Sequence, residues 1–265
     1  MIDIHSHVLW GIDDGAKDIE ISSEMLKKAQ SDGITDMCVT PHYIYGEVEN
    51  TASVVSNELA KLRKLSSSLG VKLNLYPGNE IFLSPEIPDL LKAREVMTLN
   101  GGRYVLVELP MTMVPGYADD ILFEIALMGY TPVLAHPERN REIGEKPVLL
   151  EKWKEQGLIF QINSGSITGL FGKNIQRIGL DFIHMGYVGV IASDCHTNRG
   201  RSPNLSRARN IINDKFGTEV SELLFEQNSR NILSSKEITN IPKTKSKTIF
   251  SFLKVKEAIL DYVRA

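Results

Sequence analysis

The sequence predicts an α/β body of βα units wrapped around a parallel sheet, and three observations carry that expectation. Short β-rich runs alternate with longer helical patterns from the first residue to about residue 233. Gly33, Gly70, Gly129, Gly157 and Gly186 each follow a helical run, where a C-cap is wanted. Five of the six histidines, His5, His7, His42, His136 and His196, stand where strands should end. A chain of 265 residues, 42% hydrophobic and 24% charged, can bury one sizeable core.

Taken in order, the expected strands cover residues 1–5, 35–40, 72–79, 103–108, 131–135, 158–163 and 188–193. Between them, residues 19–31, 51–69, 117–128, 147–156, 175–185 and 205–216 carry apolar side chains at helical spacing. Composition shifts after residue 240, where Lys243, Lys245, Lys247, Lys254, Lys256 and Arg264 face only Glu257 and Asp261. The expected division is a body at 1–240 and a basic C-terminal extension at 241–265. Phe252, Val255, Ile259 and Tyr262 share one helical face there, which predicts an amphipathic helix packed on the body or on a second subunit. Peripheral association with an anionic membrane is a weaker fit, because Lys256 interrupts the apolar side.

A formal net charge of -3 supplies no footprint for nucleic acid, so no such partner is expected. No apolar run approaches the roughly 20 residues of a membrane span, and the first residues lack the basic and apolar segments of a secretory signal. Two cysteines, Cys38 and Cys195, fit a reducing compartment and no disulfide framework, so the expected location is the cytoplasm.

In barrels of βα units, loops at the C-terminal strand ends converge on one face. His5, His7, His42, Glu80, Glu108, His136, Asp194 and His196 all lie at or just beyond six expected strand ends. His5-Ser-His7 alone is a modest metal signal; Asp194-Cys-His196 at the last strand returns a carboxylate and another imidazole, and strengthens it. Glu80 and Glu108 follow apolar strands, where a buried carboxylate needs a helix end, a lysine or a metal as partner. Mixed imidazole and carboxylate donors suit Zn, Mn or Fe over Ca or Mg. With no cysteine cluster, the site should be open and catalytic.

The motifs Asp3-Ile-His-Ser-His-Val-Leu-Trp-Gly-Ile-Asp-Asp-Gly-Ala16, Thr40-Pro-His42, Gly78-Asn-Glu80, Val107-Glu-Leu-Pro110, Ala135-His-Pro-Glu-Arg-Asn140, Gln161-Ile-Asn-Ser-Gly165 and Ala192-Ser-Asp-Cys-His196 resemble the polymerase-and-histidinol-phosphatase (PHP) superfamily. Within it, the opening motif is similar to that of the manganese-dependent protein-tyrosine phosphatases of bacterial capsule and exopolysaccharide operons. The resemblance covers about residues 1–235. It implies a distorted seven-stranded β/α barrel carrying three divalent metals at the C-terminal strand ends, manganese first, with iron or zinc as alternatives. It further implies one metal on His5, His7, Glu80 and Asp194, a second on Glu80, Glu108 and His136, and a third on Asp14, His42 and His196. Asp13 is expected to cap or orient the loop that Asp14 sits on.

Metal-activated hydroxide can attack phosphorus in line, so phosphoester hydrolysis is the expected reaction. Arg139 and Arg201 match the family's phosphate-binding arginines, whose rigid fork grips two oxygens. Arg199 competes with Arg201 in the same loop, and Arg141 reads as solvated. Cys195 and Arg201 stand at Cys-x5-Arg spacing, but Cys195, between Asp194 and His196, is expected to point away from the site and not to be the nucleophile. Asn163 and Ser164 could position water or phosphate, or serve a local turn. Tyr43, Tyr45 and Tyr117 could form an aromatic rim, and His184 should sit at a helix end against carbonyls.

The resemblance therefore implies phosphotyrosine hydrolysis on a bacterial tyrosine kinase that regulates polysaccharide synthesis. Two rivals are a PHP phosphatase for a small phosphomonoester such as histidinol phosphate, and a noncatalytic kinase-binding module. A third, cyclic-amide hydrolysis, leaves Arg139 without a role and lacks an obvious carboxylated-lysine motif.

Overall fold

The computed structural model describes residues 1–244. Ten strands are formed: β1 Ile2–Asp3, β2 Asp36–Val39, β3 His42–Ile44, β4 Val48–Glu49, β5 Asn74–Pro77, β6 Glu80–Phe82, β7 Tyr104–Glu108, β8 Thr131–Ala135, β9 Ile159–Asn163 and β10 Val188–Ala192. They build two sheets, one in the order β1-β2-β5 and one in the order β10-β9-β8-β7-β6-β3-β4. Every pairing is parallel except the β3–β4 hairpin.

The expected seven strands are therefore not one closed ladder. The expected strand at 35–40 ends at Val39; Pro41 has no N–H to give a ladder, and the chain resumes as β3 in the other sheet. The expected strand at 72–79 likewise stops at Pro77, and Gly78-Asn79 carries the chain across to β6. Those two breaks set His42 opposite Glu80 in the β3–β6 register. On the other side, the continuations of β1 and β10 run side by side. Asp194 N donates to His5 O and His7 N to Cys195 O, both at 2.9 Å, flanking the Ser6–Cys195 bridge.

The long helices fall where the apolar spacing puts them, at Ile19–Ser31, Ala52–Ser68, Ala118–Leu127, Val148–Glu155, Lys173–His184 and Ser206–Phe216. Gly33 (φ 88°) and Gly129 (φ 86°) close two of them in the left-handed conformation that a Cβ disfavours. Short helices such as Ile87–Ala93, Arg141–Glu145 and Ser164–Thr168 escape prediction, because five to seven residues cannot repeat an apolar stripe.

Strand alternation sorts the core into two shells. The outer one packs Met37, Val105, Val107, Leu134, Phe160, Ile162 and Ile191 against the helices. The inner one joins Ile2, Ile4 and Cys38 of the small sheet to Tyr104, Leu106, Val133, Ala135, Ile159, Val190 and Ala192 of the large one, so both sheets share an interior. Each fully buried aliphatic side chain there stabilises the fold by about 1.5–3 kcal/mol. Gln161 within β9, and Glu108, Asn163 and Asp194 at or beyond the C-terminal ends of their strands, continue the same inward alternation, so a polar layer lies on this apolar floor. Beyond the last helix the chain stays on the body: Ile241 is buried and Thr244 N donates to His184 O. The amphipathic helix expected from Phe252 to Tyr262 lies outside the described residues.

Candidate metal centre

Nine side chains singled out from the sequence, His5, His7, Asp14, His42, Glu80, Glu108, His136, Asp194 and His196, come together at the strand ends. Three groups of donor atoms each converge within 4.8 Å: His5, His7, Glu80 and Asp194; His7, Asp14, His42 and His196; and His42, Glu80 and Glu108. His136 Nε2 joins the last from 2.9 Å off Glu80 Oε1 and 3.7 Å off Glu108 Oε1. Glu80 is fully buried and touches the His5, His7, His42 and His136 rings, the central position expected of a bridging carboxylate.

Hydrogen bonds behind the imidazoles fix which nitrogen faces the centre. His5 Nδ1 donates to Gln161 Oε1 and His7 Nδ1 to Asp13 Oδ2, both at 2.8 Å. His196 Nδ1 donates to the Asp194 carbonyl at 3.1 Å. A neutral imidazole has one N–H, so each Nε2 then presents a lone pair inward. His5 Nε2 and His7 Nε2 lie 3.2 Å apart with Glu80 Oε2 at 3.1 Å from both. Lone pairs facing one another at that distance call for a cation between them. Buried His42 Nδ1, Glu80 Oε2 and Asp194 Oδ1 also have no hydrogen-bond partner, which fits atoms that serve as metal ligands.

Gln161 enters the site from behind; in the sequence it stands at the head of a motif but shows no role of its own. Its amide belongs to a chain anchored on an acceptor-only carboxylate: Asn163 Nδ2 donates to Asp194 Oδ2 at 2.5 Å, and Gln161 Nε2 donates to Asn163 Oδ1 at 2.8 Å. Gln161 Oε1 is left to receive the His5 proton, so the tautomer of one prospective ligand is tied to the carboxylate of another. A signal for it existed in Ile159-Phe-Gln-Ile-Asn163: two amides on one face of an otherwise apolar strand.

The loop between His7 and Ala16 separates the two adjacent aspartates. Asp13 accepts from His7 Nδ1, His42 N and Gly15 N, so it orients the loop. Asp14 is exposed, with Oδ1 3.2 Å from His196 Nε2 and 3.4 Å from His42 Nε2. A Cβ on Gly15 would run into the carbonyl and Cβ of His7, so only glycine lets the loop close. Backbone strain gathers here as well: His136 and Asp194 adopt φ of 32° and 51°.

Charge is unevenly shared. Burial works against ionised Glu80 and Asp194, yet the surrounding histidines, and Arg201 beside Asp194, hold both carboxyls well below the usual range. Burial, reinforced by those same two carboxylates, pushes Glu108 up to about 9. His5 and His7 are raised because Glu80, Asp194 and Asp13 outweigh desolvation. Burial raises the Cys38 and Cys195 thiols far above neutrality, so neither supplies a thiolate nucleophile.

Both expected arginines reach the centre. Arg139 Nη1 and Arg201 Nη2 donate to Asp194 Oδ2, at 3.2 and 2.7 Å, and Arg139 lies over the Phe171 ring. Arg199 and Arg141 are exposed. Ser164 Oγ donates to Asn204 O and so ties two loops. Tyr43 is a core residue, 2% exposed, and not part of a rim; Tyr45 and Tyr117 are exposed. His184 meets the Thr244 hydroxyl and the Phe216 ring in place of carbonyls.

The architecture and this site define an α/β protein with a polynuclear imidazole and carboxylate centre at its strand ends and two arginines against it. The chain belongs to the CpsB/CapC family of capsular polysaccharide synthesis, whose model matches residues 1–234. It is 36% identical over 254 residues to the tyrosine-protein phosphatase YwqE of Bacillus subtilis, covering 95% of this chain and all of that one. It is 30% identical over 238 residues to the tyrosine-protein phosphatase CpsB of Streptococcus pneumoniae, covering 88% and 98%. A solved structure from the work on YwqE and CpsB, described as unique metal-dependent tyrosine phosphatases, superposes with a TM-score of 0.89 at 36% identity, covering 93% of this chain and 100% of that one.

Proposed function

We propose that this chain is a metal-dependent protein-tyrosine phosphatase acting in the cytoplasm on a bacterial tyrosine kinase that controls polysaccharide synthesis. One observation carries the reaction class: Arg139 and Arg201 reach the same carboxylate, Asp194, that closes the His5, His7 and Glu80 group. Phosphate-gripping guanidinium groups thus stand against a cation site. Membership of the CpsB/CapC family and the named relatives support the phosphotyrosine substrate and the kinase partner. Among the described residues no helix is long and apolar enough to cross a membrane.

In this reading three divalent ions, manganese first, are held by His5, His7, Glu80 and Asp194; by Glu80, Glu108 and His136; and by Asp14, His42 and His196. The shared interior of the two sheets supports treating them as the distorted PHP-type barrel, with 1–240 as the phosphatase body and 241–265 as an extension. Bound there, the metals supply Lewis acidity toward the phosphate and toward water. Arg139 and Arg201 hold the equatorial phosphate oxygens, and Asp194 Oδ2 keeps both forks in place before substrate arrives. The phenol leaving group, with a reference pKa near 10, needs little help from a general acid.

Initial rates on a phosphotyrosine peptide and on histidinol phosphate, with manganese-loaded protein, test the proposal. A marked preference for the peptide is expected. A preference for histidinol phosphate, or binding of the kinase with no turnover of either compound, overturns it.

A further inference from the structure

Beside the centre lies a cavity of about 290 Å³, and of its lining the proposed chemistry uses only Arg201. One wall is the segment after β9, with Ser164, Thr168, Leu170 and Phe171; the other follows β10, with Arg201, Ser202, Asn204 and Arg207. It opens directly onto the phosphate-binding side, because Arg201 lines it while reaching Asp194, and Phe171 lines it while lying under Arg139.

Two guanidinium groups, several hydroxyls and an amide line the cavity, and no carboxylate does. Arg207 is exposed and forms no ion pair among the described residues, whereas the neighbouring Arg209 is paired with Glu226. Arg201 Nε is buried with no partner. Leu170, 48% exposed, and Phe171 supply an apolar wall. A pocket with an apolar side, a cationic end and room for one side chain matches a short methylene arm ending in a carboxylate.

Resting on the phosphatase reading, we propose that this cavity is a substrate subsite for an acidic residue adjacent to the phosphotyrosine. Arg207 receives its carboxylate while Arg201 and Arg139 hold the phosphate. Arg207 is a specificity residue, since it touches the flanking side chain and not the reacting phosphate.

The test compares three substrates, p-nitrophenyl phosphate and two phosphotyrosine peptides flanked by glutamate or by alanine, on the full manganese-loaded protein and on Arg207→Ala and Arg207→Glu. The parent should favour the glutamate peptide about five- to tenfold through KM, with kcat unchanged. Arg207→Ala should shrink that preference to within about twofold and Arg207→Glu should reverse it, both leaving p-nitrophenyl phosphate turnover unchanged. Equal KM for the two peptides in the parent overturns the subsite, as does a preference that survives both substitutions or an equal loss on all three substrates. If the parent hydrolyses none of the three, the phosphatase reading fails; if it hydrolyses all three without discrimination, only the subsite does.

Discussion

Replacing Gln161 by leucine tests whether the His5 proton is held in place by the amide chain behind it. The substitution roughly conserves volume in a fully buried position but strips two hydrogen bonds, orphaning His5 Nδ1–H and Asn163 Oδ1. Each buried unpaired group costs about 1–3 kcal/mol, so the metal-free variant, with two of them, should lose about 2–6 kcal/mol of stability. Freed of its acceptor, His5 can turn or take the other tautomer, and loss of such an orienting bond typically weakens metal binding about 10–100-fold, or about 1.4–2.8 kcal/mol. Calorimetric titration with manganese, run beside thermal melts in chelator and in excess metal, separates the two effects. Gln161→Glu restores the acceptor for His5 but not the donor to Asn163, and should recover most of the affinity. Parent-like manganese affinity in Gln161→Leu would refute the reasoning.

Glu80→Gln should lower both metal content and turnover, whereas Arg139→Ala should keep its metal and lose about 100-fold in kcat/KM; metal analysis with phosphopeptide rates distinguishes them. Glu108 titrates near 9 in the folded chain against about 4.3 unfolded. Between those values the folded state keeps a proton that the unfolded state releases, so metal-free stability falls as pH rises through the window. In chelator, the melting advantage of Glu108→Gln over the parent should therefore widen from about pH 5 to about pH 9, and a constant difference would contradict this. Gly15→Ala should push Asp13 and Asp14 away from the imidazoles, seen as weaker manganese binding with the rest of the fold retained by circular dichroism.

Long periodic segments were legible because each one repeats its pattern several times: all six long helices stand within a residue or two of their expected bounds. Eight of the nine prospective metal ligands were legible because an ionisable side chain at the end of an apolar strand needs a partner, and five imidazoles among the carboxylates leave a cation as the partner that suits them all; Asp14, on a loop, was legible only through the family resemblance. Sheet closure was not, since it turns on single backbone features. Pro41 and the Gly78-Asn79 step each divert one run of chain between two sheets, and nothing in a run's hydrophobicity records that. Gln161 and Asp13 escaped as the groups behind His5 and His7 because their role depends on which side chains lie beside them in space. Tyr43 misled for the opposite reason: an aromatic next to a site histidine looks like a rim residue until the strand turns it inward.

Three metals held by nine named side chains are the core of the proposed function, and anomalous diffraction from crystals grown with manganese addresses them directly. Three peaks are expected: one among His5, His7, Glu80 and Asp194, one among Glu80, Glu108 and His136, and one among Asp14, His42 and His196. Absence of anomalous density at Glu80, or manganese bound only by residues outside this set, would contradict it.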